Sequence, residues 1–303
     1  MSKNIIHVSS ISEYNRRNGL LKPQHPLVSV INFADLAYTG EARNVTHSFY
    51  CIALKHLREG KMKYGQQEYD FDEGILAFIA PNQVLRIEPS ANRQLQHSGW
   101  LLIFHPDFLW GTTLGNKIRQ YDFFGYDLKE ALHLSENEEN ILISIFNNIN
   151  QEYQSTIDKF SLNVIIAQIE LLLTYSERFY QRQFITRKKS NHTVLTKLDN
   201  HLDDYFKSQS LSLNGLPTVK DVSSKLNLSP NYLSKLLKTL TGKSTQEFIH
   251  EKLIQLAKEK LSTTELTVNE IAYEFGLEYS QSFSKLFKSK TGVSPTQFRS
   301  LFN

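Results

Sequence analysis

The sequence predicts an α+β protein of two domains, a β-rich N-terminal half closed by a pair of helices and an all-α C-terminal half. Three observations carry this prediction. Short apolar runs separated by turn formers fill residues 27–108, the texture of a sandwich or small barrel. From Ser135 the apolar spacing lengthens to the helical period. Between residues 218 and 302 one pattern is written twice, and an internal repeat defines an architecture before any single element does.

The strands are expected at 27–31, 49–54, 67–71, 75–79, 84–87 and 100–104. Gly60, Gly65, Asp72-Glu73-Gly74, Pro81-Asn82 and Pro89-Ser90 break the chain between them. Residues 1–26, with Arg16, Arg17, Pro23 and Pro26, read as irregular. Aromatic side chains are dense in this half, from Phe33 to Trp110. Most of them are accounted for by core packing, and some are candidates to line a ligand cavity inside a barrel. Arg86 is a candidate to orient an anionic ligand, with a solvated surface arginine as the plainer reading. Cys51, the one cysteine, lies in an apolar run, so it forms no internal disulfide and reads as a buried thiol.

Ser135 with Glu138 forms a capping-box pattern ahead of an apolar stripe at Ile141, Ile145 and Ile149. A second helix is expected from about 158 to 183, with its stripe at Leu162, Ile165, Ile166, Ile169, Leu172 and Leu173. It is too apolar for a lone surface helix. It packs on the sheet or the preceding helix, pairs with a second copy of itself, or does both. Residues 184–193 lose the apolar period and gain charge at Arg187-Lys188-Lys189, so the linker is expected there. A helix over 195–206 then opens the second domain, and a long one over 246–261 occupies its centre.

Each repeat reads as helix, tight turn, helix. Thr218 with Asp221 and Thr267 with Glu270 cap the first helices, and Asn227 and Gly276 mark the turns. Ser229-Pro230 opens the second helix of the first repeat, and Gly242 and Gly292 end both second helices. The copies are offset by 49 residues up to Leu228/Leu277 and by 50 from Leu236/Leu286. The motifs span about 218–241 and 267–291. This geometry presents the polar face of a second helix to a DNA major groove. The outward residues are Asn231, Ser234, Lys235 and Lys238, then Ser280, Gln281, Ser284, Lys285 and Lys288. Hydroxyls, amides and ammonium groups suit base edges and phosphates, and no carboxylate interrupts either face. A plain helical bundle with solvated faces is the alternative, and acid-free faces recurring at matched positions argue against it. Charge is distributed accordingly. Residues 1–182 hold 17 Lys+Arg against 20 Asp+Glu, whereas residues 183–303 hold 17 against 11, as a phosphate-binding module requires.

The runs IAYEFGL at 271–277, SFSKLFK at 282–288 and TGVSPTQFR at 291–299 resemble the tandem helix-turn-helix domain of the AraC/XylS transcriptional regulators over about the last 110 residues. Leu277 stands where that family usually has Phe, and Tyr279 where a polar or acidic residue is common. The resemblance implies a homeodomain-like all-α domain at 194–303. It also implies a cupin-like jelly-roll sensor and dimerisation domain at 1–183, with strands at about 27–108 and helices at about 135–183. The local match there is YDFDEGILAFIAP at 69–81. Catalytic cupins hold metal through a His-x-His pair, which is absent from the ten histidines here. The expectation is no metal, no cofactor and no catalytic site.

The sequence therefore reads as a sequence-specific DNA-binding transcriptional regulator, by family tendency an activator, binding two successive major grooves of double-stranded DNA. RNA polymerase is an expected partner and a small-molecule effector a possible one. A homodimer is expected through the helix at about 158–183. The first residues lack a signal-peptide core, and no run approaches the ~20 apolar residues of a membrane span, so a cytoplasmic protein is expected. The alternatives are a ligand-independent regulator acting through protein partners and a cupin enzyme fused to a DNA-binding module.

Overall fold

The structure, a computed structural model, describes residues 5–36, 43–57, 62–64, 67–69, 74–87, 97–155, 160–186, 188–208, 211, 214–277 and 279–302. Two compact units divide the chain, residues 1–183 and residues 184–303.

The first unit is built on two main sheets. One runs β10 (Leu132–His133), β7 (Ile75–Ile79), β4 (Tyr50–Leu57), β9 (His97–Phe104), β2 (Val28–Asn32), antiparallel throughout. The other runs β1 (Ile5–Val8), β3 (Arg43–His47), β8 (Leu85–Ile87), with β1 parallel to β3. Strands β5 (Met62–Tyr64) and β6 (Gln67–Tyr69) form a separate hairpin. Alternation along the central strands gives each face of the larger sheet its own core. Ile31, Cys51, Ala53, Ile79, Leu101 and Ile103 meet Val8 and Val45 of the smaller sheet. On the opposite face Ile52, Leu54, Leu76, Phe78, Leu102 and Phe104 are almost fully buried. Phe78 there packs near Tyr180 and Phe123.

The helices over that second face are α3 (Glu136–Gln154) and α4 (Ser161–Thr186), after the short α1 (Ile11–Arg17) and α2 (Thr113–Lys117). The Ser135–Glu138 capping box closes reciprocally, and Arg182 of α4 returns to the Glu138 carboxylate and to the His133 carbonyl. Gln183 accepts from the His133 amide at 2.8 Å. These bonds tie α4 to the edge strand β10.

Two expectations fail here. Residues 1–26 are not irregular, because they supply β1 and α1. Ile5, Ile6 and Val8 give β1 its strand propensity. Ser10 accepts from the Glu13 amide and Glu13 reaches back to Ser9, an N-terminal signature placed ahead of a helix of only seven residues. Nor does the first helix of the second domain wait until residue 195. Helix α4 continues to Thr186, and α5 (Lys188–Lys207) begins seven residues earlier than expected. The stretch contains no Gly or Pro, and Lys and Arg are good helix formers. Loss of an apolar period removes a buried face, not the helix. The expected strand end at 70–71, the Asp72-Glu73 turn and the helix start at 158–159 lie outside the described residues.

The second unit adds α6 (Val219–Lys225), α7 (Pro230–Thr241), α8 (Thr245–Thr263), α9 (Val268–Glu274), α10 (Ser280–Thr291) and α11 (Pro295–Arg299). One core runs through all of it, including Leu202, Val222, Leu233, Leu253, Ile271 and Phe283. Burying each such side chain is worth about 1.5–3 kcal/mol. Lys252 of α8 bridges Asp199 and Asp203 of α5 at 3.2 and 2.6 Å, clasping the first helix to the central one.

Candidate nucleic-acid interface

Two helix pairs, α6–α7 and α9–α10, precede and follow α8 in the chain. Their entry points are built alike. Thr218 and Asp221 exchange hydrogen bonds as a full capping box, and so do Thr267 and Glu270. Each carboxyl is held below its usual range by the threonine it grips. The turns differ in chemistry but not in backbone sign, Asn227 having φ 55° and Gly276 φ 66°. A Cβ on Gly276 would stand 2.3 Å from the Leu211 carbonyl oxygen and 2.6 Å from Gly215 Cα, so glycine is required there by contact as well as by φ. Gly242 and Gly292 end α7 and α10 in the left-handed conformation.

The inward faces of α7 and α10 are buried at Leu233, Leu236 and Leu237 and at Phe283 and Phe287. The predicted outward residues lie on the other side. Asn231, Lys238, Gln281, Lys285 and Lys288 are exposed, and Ser234, Lys235, Ser280 and Ser284 are partly exposed. The Ser234 hydroxyl is 3.3 Å from that of buried Thr245, so it serves the packing of α7 on α8. The helices also start differently. Ser229 caps α7 by accepting from the Tyr232 amide at 3.3 Å, whereas Tyr279 precedes α10 without a side-chain cap and is 68% exposed.

Two electrostatic neighbours escaped the reading of the helices alone. Glu247, in the first turn of α8, has its carboxyl held low by the Ser244 cap, with smaller attractions from Lys238 and Lys290. A carboxylate thus lies in the field of lysines on both α7 and α10, although neither helix carries one. His250 is pushed below its ordinary value by burial first and by Lys290 second. Lys290 sits off the expected face, and only the packing of α10 on α8 reveals its role. Among the described residues no three His, Cys, Asp or Glu side chains gather as a metal would need, and no helix is long and apolar enough to cross a membrane.

A model described as a helix-turn-helix domain matches residues 222–300. An uncharacterised HTH-type transcriptional regulator, YfiF of Bacillus subtilis, is 27% identical over 256 residues, 84% of this chain and 78% of that protein. The raffinose operon transcriptional regulatory protein of Pediococcus pentosaceus is 39% identical over 82 residues, 27% of this chain and 30% of its own length. Among solved structures, the C-terminal domain of AraT, a response regulator from Geobacillus stearothermophilus, is 33% identical. The likeness covers 35% of this chain and 84% of that one, with a TM-score of 0.30. With paired helix-turn-helix units and acid-free outer helices, the sequence matches identify a DNA-binding transcriptional regulator whose helix-turn-helix domain includes residues 222–300.

Proposed function

We propose that α7 and α10 enter successive major grooves on one face of double-stranded DNA, about one helical turn or 34 Å apart. The observation that carries this reading is the pair of outward helix faces without a carboxylate, each fixed by a left-handed glycine at its end. Asn231, Gln281 and Ser284 discriminate bases, each good bidentate pair contributing about 1–3 kcal/mol, while Ser234 holds α7 against α8. Lys235, Lys238, Lys285 and Lys288 attract phosphate and contact bases. The first turns at Ser229 and Ser280 offer amides to phosphate.

Residues 1–183 form the regulatory domain in this reading, a cupin-like jelly roll that takes a small effector between its sheets. The apolar core shared by the two sheets supports it. Leu162, Val164 and Leu171 are exposed along α4, which favours a homodimer through that helix. The chain acts in the cytoplasm as an activator in contact with RNA polymerase. Selection of a duplex pool by residues 184–303, with a salt titration, tests the core of the proposal. Two enriched boxes about one turn apart are expected, and Lys235→Ala and Lys285→Ala should each lower the salt slope by about one unit. Salt-dependent binding without an enriched sequence would overturn it.

A further inference from the structure

The larger N-terminal sheet carries a cation on an apolar face. Along β4 the side chains of Cys51 and Ala53 enter the core between the two sheets, and by the period of two Lys55 takes the same face. Its register partners are Ile75 on β7 and Gly99 on β9, so neither ladder sets an acid opposite it. Its Nζ stands over the Phe33 ring, 5.2 Å from the centroid, and Phe33 packs against the same core. Burial lowers the ammonium pKa, and among the described residues no acid offsets that. The residue as a whole nevertheless keeps part of its surface. Arg86 does not share this position. It is exposed on β8, and its neighbour Leu85 is the side chain that packs inward.

A desolvated ammonium on an apolar wall is unfavourable unless something pairs with it. The aromatic face offsets part of that cost and supplies no negative charge. We propose that Lys55 is the charge-reading group of a small-molecule site on this inner face, and that its ligand is a monocarboxylate with an apolar body. One ammonium balances one negative charge, whereas a phosphate dianion would bring unmatched charge into the same surroundings. Phe33, beneath the ammonium, is suited to the hydrocarbon part. This assignment rests on the effector reading above and gives its ligand class.

The test uses the full chain and matched pairs of straight-chain acids and their primary amides, from acetate to decanoate, with benzoate and benzamide, in thermal unfolding. At least one acid should raise the midpoint in a concentration-dependent way, and its amide should not. Lys55→Met, which keeps the stem, should weaken the acid by about tenfold or more, and Lys55→Arg should retain binding. If Lys55→Met fails to fold, the acid–amide comparison in the natural chain still decides. Equal shifts by acid and amide, no shift by any acid, or unchanged acid binding in Lys55→Met would overturn the proposal. Operator affinity measured with the bound acid separates the two readings. A change supports effector control, and no change sinks that control while the Lys55 site stands.

Discussion

The hydroxyls of Ser234 and Thr245 lie 3.3 Å apart and join the reading helix of the first repeat to the start of the central helix. The repeat offset of 50 maps this pair onto Ser284 and Pro295, and proline has no hydroxyl to complete the tie. One residue type at matched positions therefore has two jobs. Ser234→Ala should destabilise the domain by about 0.5–1.5 kcal/mol, the worth of a hydrogen bond, with little change in base preference. Ser284→Ala should leave the unfolding midpoint nearly unchanged and relax preference at one operator position. Thermal unfolding and a single-base operator series distinguish the two variants.

Glu247 offers a way to tighten DNA binding without touching a reading residue. Its carboxylate caps α8 through Ser244 and attracts Lys238 and Lys290. The same chain shows that Gln can hold the cap, because Gln297 closes the box with Ser294 at α11. Glu247→Gln should therefore keep the helix start and free the two lysines for phosphate. A few-fold gain in affinity is expected at low salt, shrinking as ionic strength rises because the charges are exposed. An affinity that is unchanged at every salt concentration would show that Glu247 does not compete with DNA.

The capping carboxylates also set an acid limit. Asp221, Glu247 and Glu270 all have folded pKa values below their ordinary values of 3.8, 4.5 and 4.5. A depressed folded pKa contributes stability that is present above the unfolded value and lost as pH falls through the folded one. The stability these carboxylates contribute should thus be constant from neutral pH to about pH 5 and be lost below that. His250, depressed by burial, already costs stability as pH falls through its ordinary value of 6.5. Thr267→Ala removes the partner of Glu270, costs about 0.5–2 kcal/mol as a lost N-cap, and should make the fall shallower. Midpoints measured across this range in both proteins check the sign.

Gly276 is more constrained than its partner Asn227. Ala at 276 would carry about 1–2 kcal/mol for the left-handed conformation alone, and its Cβ would also overlap the Leu211 carbonyl oxygen and Gly215 Cα. Asn227 has φ 55°, and the Cβ that strains this conformation is already present. Asn227→Gly should be close to neutral, whereas Gly276→Ala should unfold the second repeat at a lower denaturant concentration than the natural chain. Equal effects at both turns would refute the contact argument.

These contrasts show where the sequence was legible. The capping residues, turn glycines and apolar stripes of 218–302 are local signals, and each acts within four residues of itself. The helix start at Lys188 was hidden because charge without an apolar period looks like a linker, although nothing in it breaks a helix. Strand β1 and helix α1 were hidden by brevity, since a four-residue strand gains its stability from pairing with β3. The Ser234–Thr245 tie, the reach of Glu247 to Lys290 and the placement of Lys55 over Phe33 are tertiary, and no window of sequence contains them. Reading outward positions from a helical wheel overstated Ser234 for that reason.

Arg299 follows the same rule, with a consequence for both reading helices. Its Nε donates to the Leu261 carbonyl at 3.2 Å and its Nη2 to the Leu266 carbonyl at 2.5 Å. Leu261 lies in the last turns of α8 and Leu266 in the connection to α9, so one guanidinium fixes the angle at which the second repeat leaves the central helix. Charge-assisted bonds of this kind are worth about 1.5–3 kcal/mol each. Lysine cannot reproduce the fork. Arg299→Lys should therefore lower affinity for a two-box operator more than for a duplex carrying only the box read by α7. It should do so at temperatures where circular dichroism still reports the helices as intact. A loss of equal size on both duplexes would mean that Arg299 supports general stability and does not set the spacing of the two helices.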